Sequence, residues 1–253
     1  MLGKNRISTL RKLHQKKNRA EERLFLAEGA KIVEELLRDD FPVAEVLALP
    51  SWIQRNHSKL GRVDFQEISE ADMERISTLV SPSEVLAVCE IPEEKPLELS
   101  TDSLVLVLDA IRDPGNMGTL IRLADWFGFD AIVASEDSVE WTNPKVIQAT
   151  MGSFLRLRPH YRELQEVFQS HPGLPVTATE LDGESLYTSN FKPFGFFVLS
   201  NESRGLSAEL KPWVQRSLHI PAFRKHGNHA ESLNVATAGA IILSEIARRK
   251  TLA

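Results

Sequence analysis

Leu104-Val-Leu-Val-Leu-Asp-Ala-Ile-Arg-Asp-Pro-Gly-Asn-Met-Gly118 is the stretch on which the reading of this chain turns. Leu104–Leu108 is a continuous apolar run, as expected for a strand buried on both faces. A Pro-Gly turn follows, and a helical pattern begins near Asn116. Further apolar runs stand at Ala131–Ala134, Val176–Ala178, Phe194–Leu199 and Leu218–Ile220, with helical segments between them. That succession predicts an α/β fold, a mostly parallel sheet with helices on both faces. The last element, Ser232 to Arg249, reads as a long and largely apolar helix with a basic end.

Upstream the pattern differs. Residues 1–90 predict a helix over Ile7–Arg19, an extended Leu24–Ala27, a helix over Ala30–Leu37, and strands at Val43–Leu49 and Val80–Val88. Ile91–Asp102 carries two prolines and four acids without periodicity, the composition of a linker. The expected organisation is a smaller α/β domain over 1–92, a linker over 93–102 and a larger domain over 103–253.

The chain of 253 residues is 42% hydrophobic and 26% charged, ordinary for a globular protein able to bury a core. No apolar run approaches the roughly eighteen residues of a membrane span, and the basic N-terminus lacks the apolar stretch of a secretory signal. Cys89 is the single cysteine, which excludes an internal disulfide and a cysteine-built zinc site. A reducing cytoplasm is the expected location.

A formal net charge of −5 is unusual for a nucleic-acid binder, but the distribution is uneven. Residues 1–20 hold Lys4, Arg6, Arg11, Lys12, Lys16, Lys17 and Arg19 and no acid, which makes them candidate RNA contacts. Smaller basic groups recur at Arg156, Arg158 and Arg162, at Arg224–Lys225 and at Arg248–Lys250. Each of those, taken singly, is most simply a solvated helix face.

Three constellations could carry chemistry. In the first, Asn116 and Arg122 follow a buried strand at the start of a helix, where open α/β sheets place ligands. An Asn can orient a hydroxyl and an Arg can grip a phosphate bidentately; taken alone, this stretch is more simply a capped helix with an exposed arginine. The second is Leu199-Ser-Asn-Glu-Ser-Arg-Gly205, a strand ending in small and polar residues, where Gly205 would let backbone approach a ligand. Its plain alternative is a cap, with Ser203 or Ser207 starting a helix. The third runs from Ile220 through a polar loop to Ser232-Leu-Asn-Val235. Ser232 is the expected N-cap and Asn234 would lie in the first turn, facing outward. Small residues beyond it, Ala236 to Ala240, suggest close packing on another helix, of this chain or of a second subunit.

Together, Asn116-x-Gly118-x-x-x-Arg122, Ser200-Asn-Glu202-x-x-Gly205 and Ser232-Leu-Asn234-Val235 resemble the three ordered motifs of the SpoU/TrmH family of RNA ribose 2′-O-methyltransferases. The resemblance covers about residues 103–250. Residues 1–90, with Phe25-Leu-Ala-Glu-Gly29 and Val85-Leu-Ala-Val88, resemble the ribosomal-protein-L30-like substrate-binding domain of many members. The family implies a C-terminal trefoil knot, against the general rule of unknotted chains, and a homodimer. It also implies S-adenosylmethionine as cofactor, no metal, and RNA as substrate, ribosomal RNA before transfer RNA. Carried over by position, Asn116, Arg122, Glu202, Ser232 and Asn234 are the catalytic set. Leu199, Ser200, Asn201, Gly205, Ile220 and Leu233 would hold the adenosyl group. The chain departs from the pattern at Ser200 and Ser203, where glycines are usual, at Ala236, where a serine is usual, and in a longer loop at 224–229.

Two other readings compete. An RNA-binding protein that kept the fold and lost the chemistry would show no cofactor binding. A nucleotide-dependent enzyme would need a Gly-x-Gly-x-x-Gly or a Gly-x-x-x-x-Gly-Lys-Ser/Thr sequence, and the chain has neither. His226 and His229 lie in the polar loop and could accept a proton if it closed over the site; as loop polar residues they need no such role.

Overall fold

The computed structural model describes residues 1–61, 63–201, 203–223 and 231–252. Glu202, Arg224, Lys225, His226 and His229, singled out above, lie outside them. The chain divides into two compact units, residues 1–94 with 140–155, and residues 95–139 with 156–253.

In the first unit the chain runs α1 (Lys4–Lys12), α2 (Lys16–Glu22), β1 (Leu24–Glu28), α3 (Ala30–Arg38), β2 (Val43–Ala48), α4 (Pro50–Leu60), β3 (Phe65–Glu67), α5 (Glu70–Ile76) and β4 (Val85–Glu90). The strands form one sheet in the order β1-β4-β2-β3, in which only β2 and β3 are parallel. Ile7, Leu10 and Leu13 pack with Leu26, Leu47, Met73, Ile76 and Val88 in its core. The single helix expected over Ile7–Arg19 is two. At the break the Lys12 carbonyl accepts from the Gln15 amide and the Asn18 side chain (3.0 and 2.9 Å) and the Leu13 carbonyl from Arg19 (2.7 Å), so the helical ladder ends in a tighter turn closed by side chains. The strand expected from Val80 begins only at Val85. The buried Glu28 carboxylate draws in the Ser77 hydroxyl and the Thr78 and Ser83 amides, which holds 77–83 as a loop.

The second unit carries β5 (Leu104–Asp109), α6 (Pro114–Trp126) and β6 (Ala131–Ala134). Residues 140–155, with α7 (Pro144–Thr150), belong to the first unit, where Trp141 and Phe154 pack on Phe25. The second unit resumes with β7 (Pro159–Tyr161), α8 (Leu164–Ser170), β8 (Val176–Ser185), β9 (Gly195–Ser200), a 3₁₀ turn (Ala208–Trp213), β10 (Arg216–His219) and α9 (Val235–Leu252). Its six strands are parallel throughout, in the order β10-β8-β9-β5-β6-β7. The strand at Pro159–Tyr161 was not expected; three residues at a sheet edge leave no legible apolar run.

Alternation along the central strands assigns the two faces. Val105, Val107, Phe196 and Val198 pack with Leu164, Val167 and Phe168 of α8. Leu199 points to the opposite face, where α9 crosses α6. A Cβ built at Gly239 would stand 2.6 Å from Leu120 Cδ2 of α6 and 3.1 Å from Leu199 Cδ1 of β9. The small residues of α9 thus close onto a helix of the same chain. Gly239→Val is expected to lower stability by about 1–3 kcal/mol through overpacking; an unchanged urea midpoint would show that the contact yields.

Farther along α9, Glu245 accepts from Arg248 and Arg249, while Arg249 donates to the carbonyls of Leu186 and Ser189 and lies over the Phe191 ring. The Arg248 hydrogen bond, then that of Arg249, pulls the Glu245 carboxyl from the usual 4.5 to about 2. Because the folded value is the depressed one, this contribution is present above about pH 4.5 and lost as the pH falls toward 2. Glu245→Gln is expected to be less stable at pH 7 and to lose stability less steeply over that interval, as read from thermal midpoints. No helix among the described residues is long and apolar enough to cross a membrane.

Candidate active site at the ends of the parallel strands

The strand order reverses between β5 and β9, because β5 leads outward to β6 and β9 leads the other way to β10. Such a switch point leaves a crevice at the carboxyl ends of the strands. Asp109 and Ser200 are register partners there, and α6 and the 201–207 loop rise from the same rim.

At the start of α6, Pro114 occupies the first turn and Asp113 is the cap, its Oδ1 accepting from the Asn116 amide at 2.8 Å. Asn116 therefore sits in the first helical turn, and its side-chain Oδ1 accepts from Asn234 Nδ2 at 2.9 Å. Asn234 in turn is the cap of α9. Its Oδ1 accepts from the amides of Ala236 and Thr237 at 3.0 and 3.2 Å. The expected cap, Ser232, is exposed and lies outside the helix, which starts only at Val235. Asn234 takes its place as the residue directly before the helix, its amide offering an acceptor for the helix and a donor for Asn116 at once. One side-chain hydrogen bond thus ties two helix N-termini, residues 118 apart in the chain. Both termini present partial positive charge on the same rim.

Arg122 lies on α6 six residues beyond Asn116, about 9 Å along the axis. Its side chain is exposed and makes no ion pair among the described residues. Leu199 is buried at 1% exposure, Ser200 and Ile220 are half-buried, and Leu233 is 44% exposed.

The second loop is anchored by a residue that the sequence reading passed over. Asp109, 3% exposed, accepts from the Ser207 amide at 2.8 Å and the Ser207 hydroxyl at 2.7 Å. Burial pushes its carboxyl up, and the two Ser207 bonds oppose that shift. Its backbone carbonyl accepts from the Asn201 amide at 3.1 Å. Asn201 Oδ1 gathers the amides of Ser203 and Arg204 at 3.0 and 3.3 Å, and Gly205, at φ +67°, donates to the Asn201 carbonyl at 2.8 Å. Ser207 precedes the 3₁₀ turn but gives its hydroxyl to Asp109 rather than capping it. An aspartate directly after five apolar residues was the available signal, since the alternation leaves it no exposed face.

Of the N-terminal basic residues, Lys4, Arg11, Lys12, Lys16 and Lys17 are exposed. Arg6 is half-buried and paired with Glu45. Arg19 corrects the expectation of an RNA contact. It is 2% exposed, bonded to the Leu13 carbonyl and paired with Glu140, because a desolvated guanidinium needs such partners. Arg156 is likewise occupied, bidentate on Asp125. Hollows of about 500 Å³ beside Lys31 and Arg38 and about 390 Å³ beside Tyr187 and Ile241 include none of the candidate residues.

Residues 103–244 match the model of the SpoU rRNA Methylase family, and residues 4–87 match an MRM3-like substrate binding domain. The 23S rRNA (guanosine(2553)-2′-O)-methyltransferase RlmP of Bacillus subtilis is 32% identical over 241 residues, 94% of each chain. Among solved structures, an RNA methyltransferase of the TrmH family from Porphyromonas gingivalis aligns with a TM-score of 0.84 at 36% identity, covering 98% of this chain and 99% of that one. An AdoMet-bound rRNA methyltransferase from Sinorhizobium meliloti aligns at 0.83 and 29% identity, over 100% and 97%.

Proposed function

The chain belongs to the SpoU rRNA methylase family, and on that premise we propose that it methylates a ribose 2′-hydroxyl of structured RNA, ribosomal RNA before transfer RNA, with S-adenosylmethionine as donor. The observation that carries this reading is the Asn116–Asn234 bond between two helix N-termini, with Arg122 farther along the helix that Asn116 opens. RlmP of B. subtilis is named for that reaction on 23S rRNA, and the S. meliloti relative is AdoMet-bound.

The residues present fit such a donor. Gly205 has no atom within 4 Å of where a Cβ would stand, and Leu233 offers an exposed apolar side chain for an adenine. When bound, S-adenosylmethionine supplies a methyl whose bond to sulfur breaks as the ribose oxygen bonds to carbon and the hydroxyl proton is released. Asn116 and Asn234 orient the hydroxyl, and the positive ends of the two helices favour negative charge developing on its oxygen. Arg122 binds the adjoining phosphate and draws off that charge. It serves there as a cation and a two-pronged donor rather than as a base. Glu202 and Ser232 complete the set by family position, and Leu199, Ser200, Asn201 and Ile220 border the adenosyl group.

The exposed Lys4, Arg11, Lys12, Lys16 and Lys17 of the 1–92 domain, whose fold we take to be L30-like, extend the RNA contact. The same reading makes residues 103–253 a trefoil-knotted domain after a linker at 93–102, and the protein a cytoplasmic, metal-independent homodimer. A cofactor-free RNA-binding role fits less well, because Asn116, Arg122, Glu202, Ser232 and Asn234 are all kept. Calorimetric titration of S-adenosylmethionine, followed by radiolabelled methyl transfer to protein-free ribosomal RNA, tests the reading. Saturable binding with label in ribose supports it; absence of both would favour the RNA-binding alternative.

A further inference from the structure

The tip of the 201–207 loop joins two features that rarely coincide. Ser203, Arg204 and Gly205 are exposed, yet each of their backbone amides is hydrogen-bonded. Asn201 bonds the Asp109 carbonyl through its amide and approaches that of Ala110 through its side chain (3.4 Å). The amides of Ser203, Arg204 and Gly205 all turn back onto Asn201, and Ser207 closes the loop on the buried Asp109 carboxylate. The Arg204 side chain takes no part in these bonds. Among the described residues its guanidinium has no ion pair and no hydrogen bond, whereas Arg112 and Arg156 on the same unit are each neutralised by an aspartate. A side chain on a rigid loop loses less freedom on binding than one on a loose loop. An unneutralised guanidinium on an acidic protein is matched to phosphate.

We propose that Arg204 grips a phosphate of the substrate RNA, a second backbone contact beside that of Arg122. The proposal rests on the methyltransferase reading, with Arg122 on α6 and Arg204 on the loop that follows β9. Asp109 and Ser207 act through the loop and touch no substrate.

The test compares the full chain with Arg204→Ala and Arg204→Lys. Equilibrium binding to protein-free ribosomal RNA is measured across a potassium chloride series, alongside cofactor affinity by calorimetry and the thermal midpoint. In Arg204→Ala, RNA affinity is expected to fall about tenfold and the log–log salt slope to become shallower by about one. Arg204→Lys should recover the slope and part of the affinity, with cofactor affinity and midpoint unchanged throughout. An unaltered slope overturns the proposal, and so does a loss confined to cofactor affinity, which would put the guanidinium on the donor instead. A lowered midpoint in both variants would mark a structural residue and equally overturn it. Because RNA binding is read without turnover, a wild-type protein that binds RNA but transfers no methyl would refute the function and leave the Arg204 result standing.

Discussion

Arg122→Ala should lower methyl transfer by about a hundredfold or more while cofactor affinity and stability stay near those of the parent. The side chain is exposed on α6 with no ion pair among the described residues, so its removal costs the fold little, within about 0.5 kcal/mol. On the proposed function, what is lost is a charge that would meet a phosphate and stabilise the oxygen as it loses its proton. Loss of one preorganised donor of that type costs about a hundredfold to a thousandfold in turnover. Arg122→Lys keeps the charge but not the planar fork, and should recover only part of the rate. Single-turnover measurement at saturating cofactor separates the outcomes. Full activity in the lysine variant would remove the bidentate contact from the mechanism, and full activity in the alanine variant would remove Arg122 itself.

Asn234 is where a local and a long-range role can be pulled apart. Asn234→Ala deletes the α9 cap and the donor to Asn116 together. The cap alone is worth about 1 kcal/mol of stability. The freed loop before α9 should weaken cofactor binding, and turnover should fall about tenfold to a hundredfold. Asn234→Asp keeps an acceptor for the Ala236 and Thr237 amides and places negative charge at a helix N-terminus, so stability should return. It donates nothing to Asn116 Oδ1 and sets two acceptors against each other, so turnover should stay low. An aspartate variant that is both stable and active would show that the tie between the helices is dispensable.

Much of this architecture was legible beforehand. The five apolar residues from Leu104 predicted a strand buried on both faces, and each of Leu104–Leu108 is fully buried. The runs at Ala131, Val176, Phe194 and Leu218 each matched a strand of the parallel sheet. Errors fell where side chains compete with backbone. Asn18 and Arg19 took the carbonyls that would have continued α1, and Glu28 took the amides that would have lengthened β4. Arg19 read as a surface cation because its neighbours in sequence are surface cations, while the partner that buries it, Glu140, is 121 residues away.

The site divides the same way. Periodicity and the order of three short motifs are properties of neighbouring residues, and they sufficed to nominate Asn116, Arg122 and Asn234. They could not pair Asn116 with Asn234 across 118 residues, nor Asp109 with Ser207 across 98, because no local pattern records which strand ends share a rim. That follows from the sheet order, which inserts β9 beside β5 and turns α9 back across α6 at Gly239. Burial then supplies the reason for each pairing: once strand packing takes water from Asp109, its carboxylate must find donors within the fold, and Ser207 is the residue the loop brings to it.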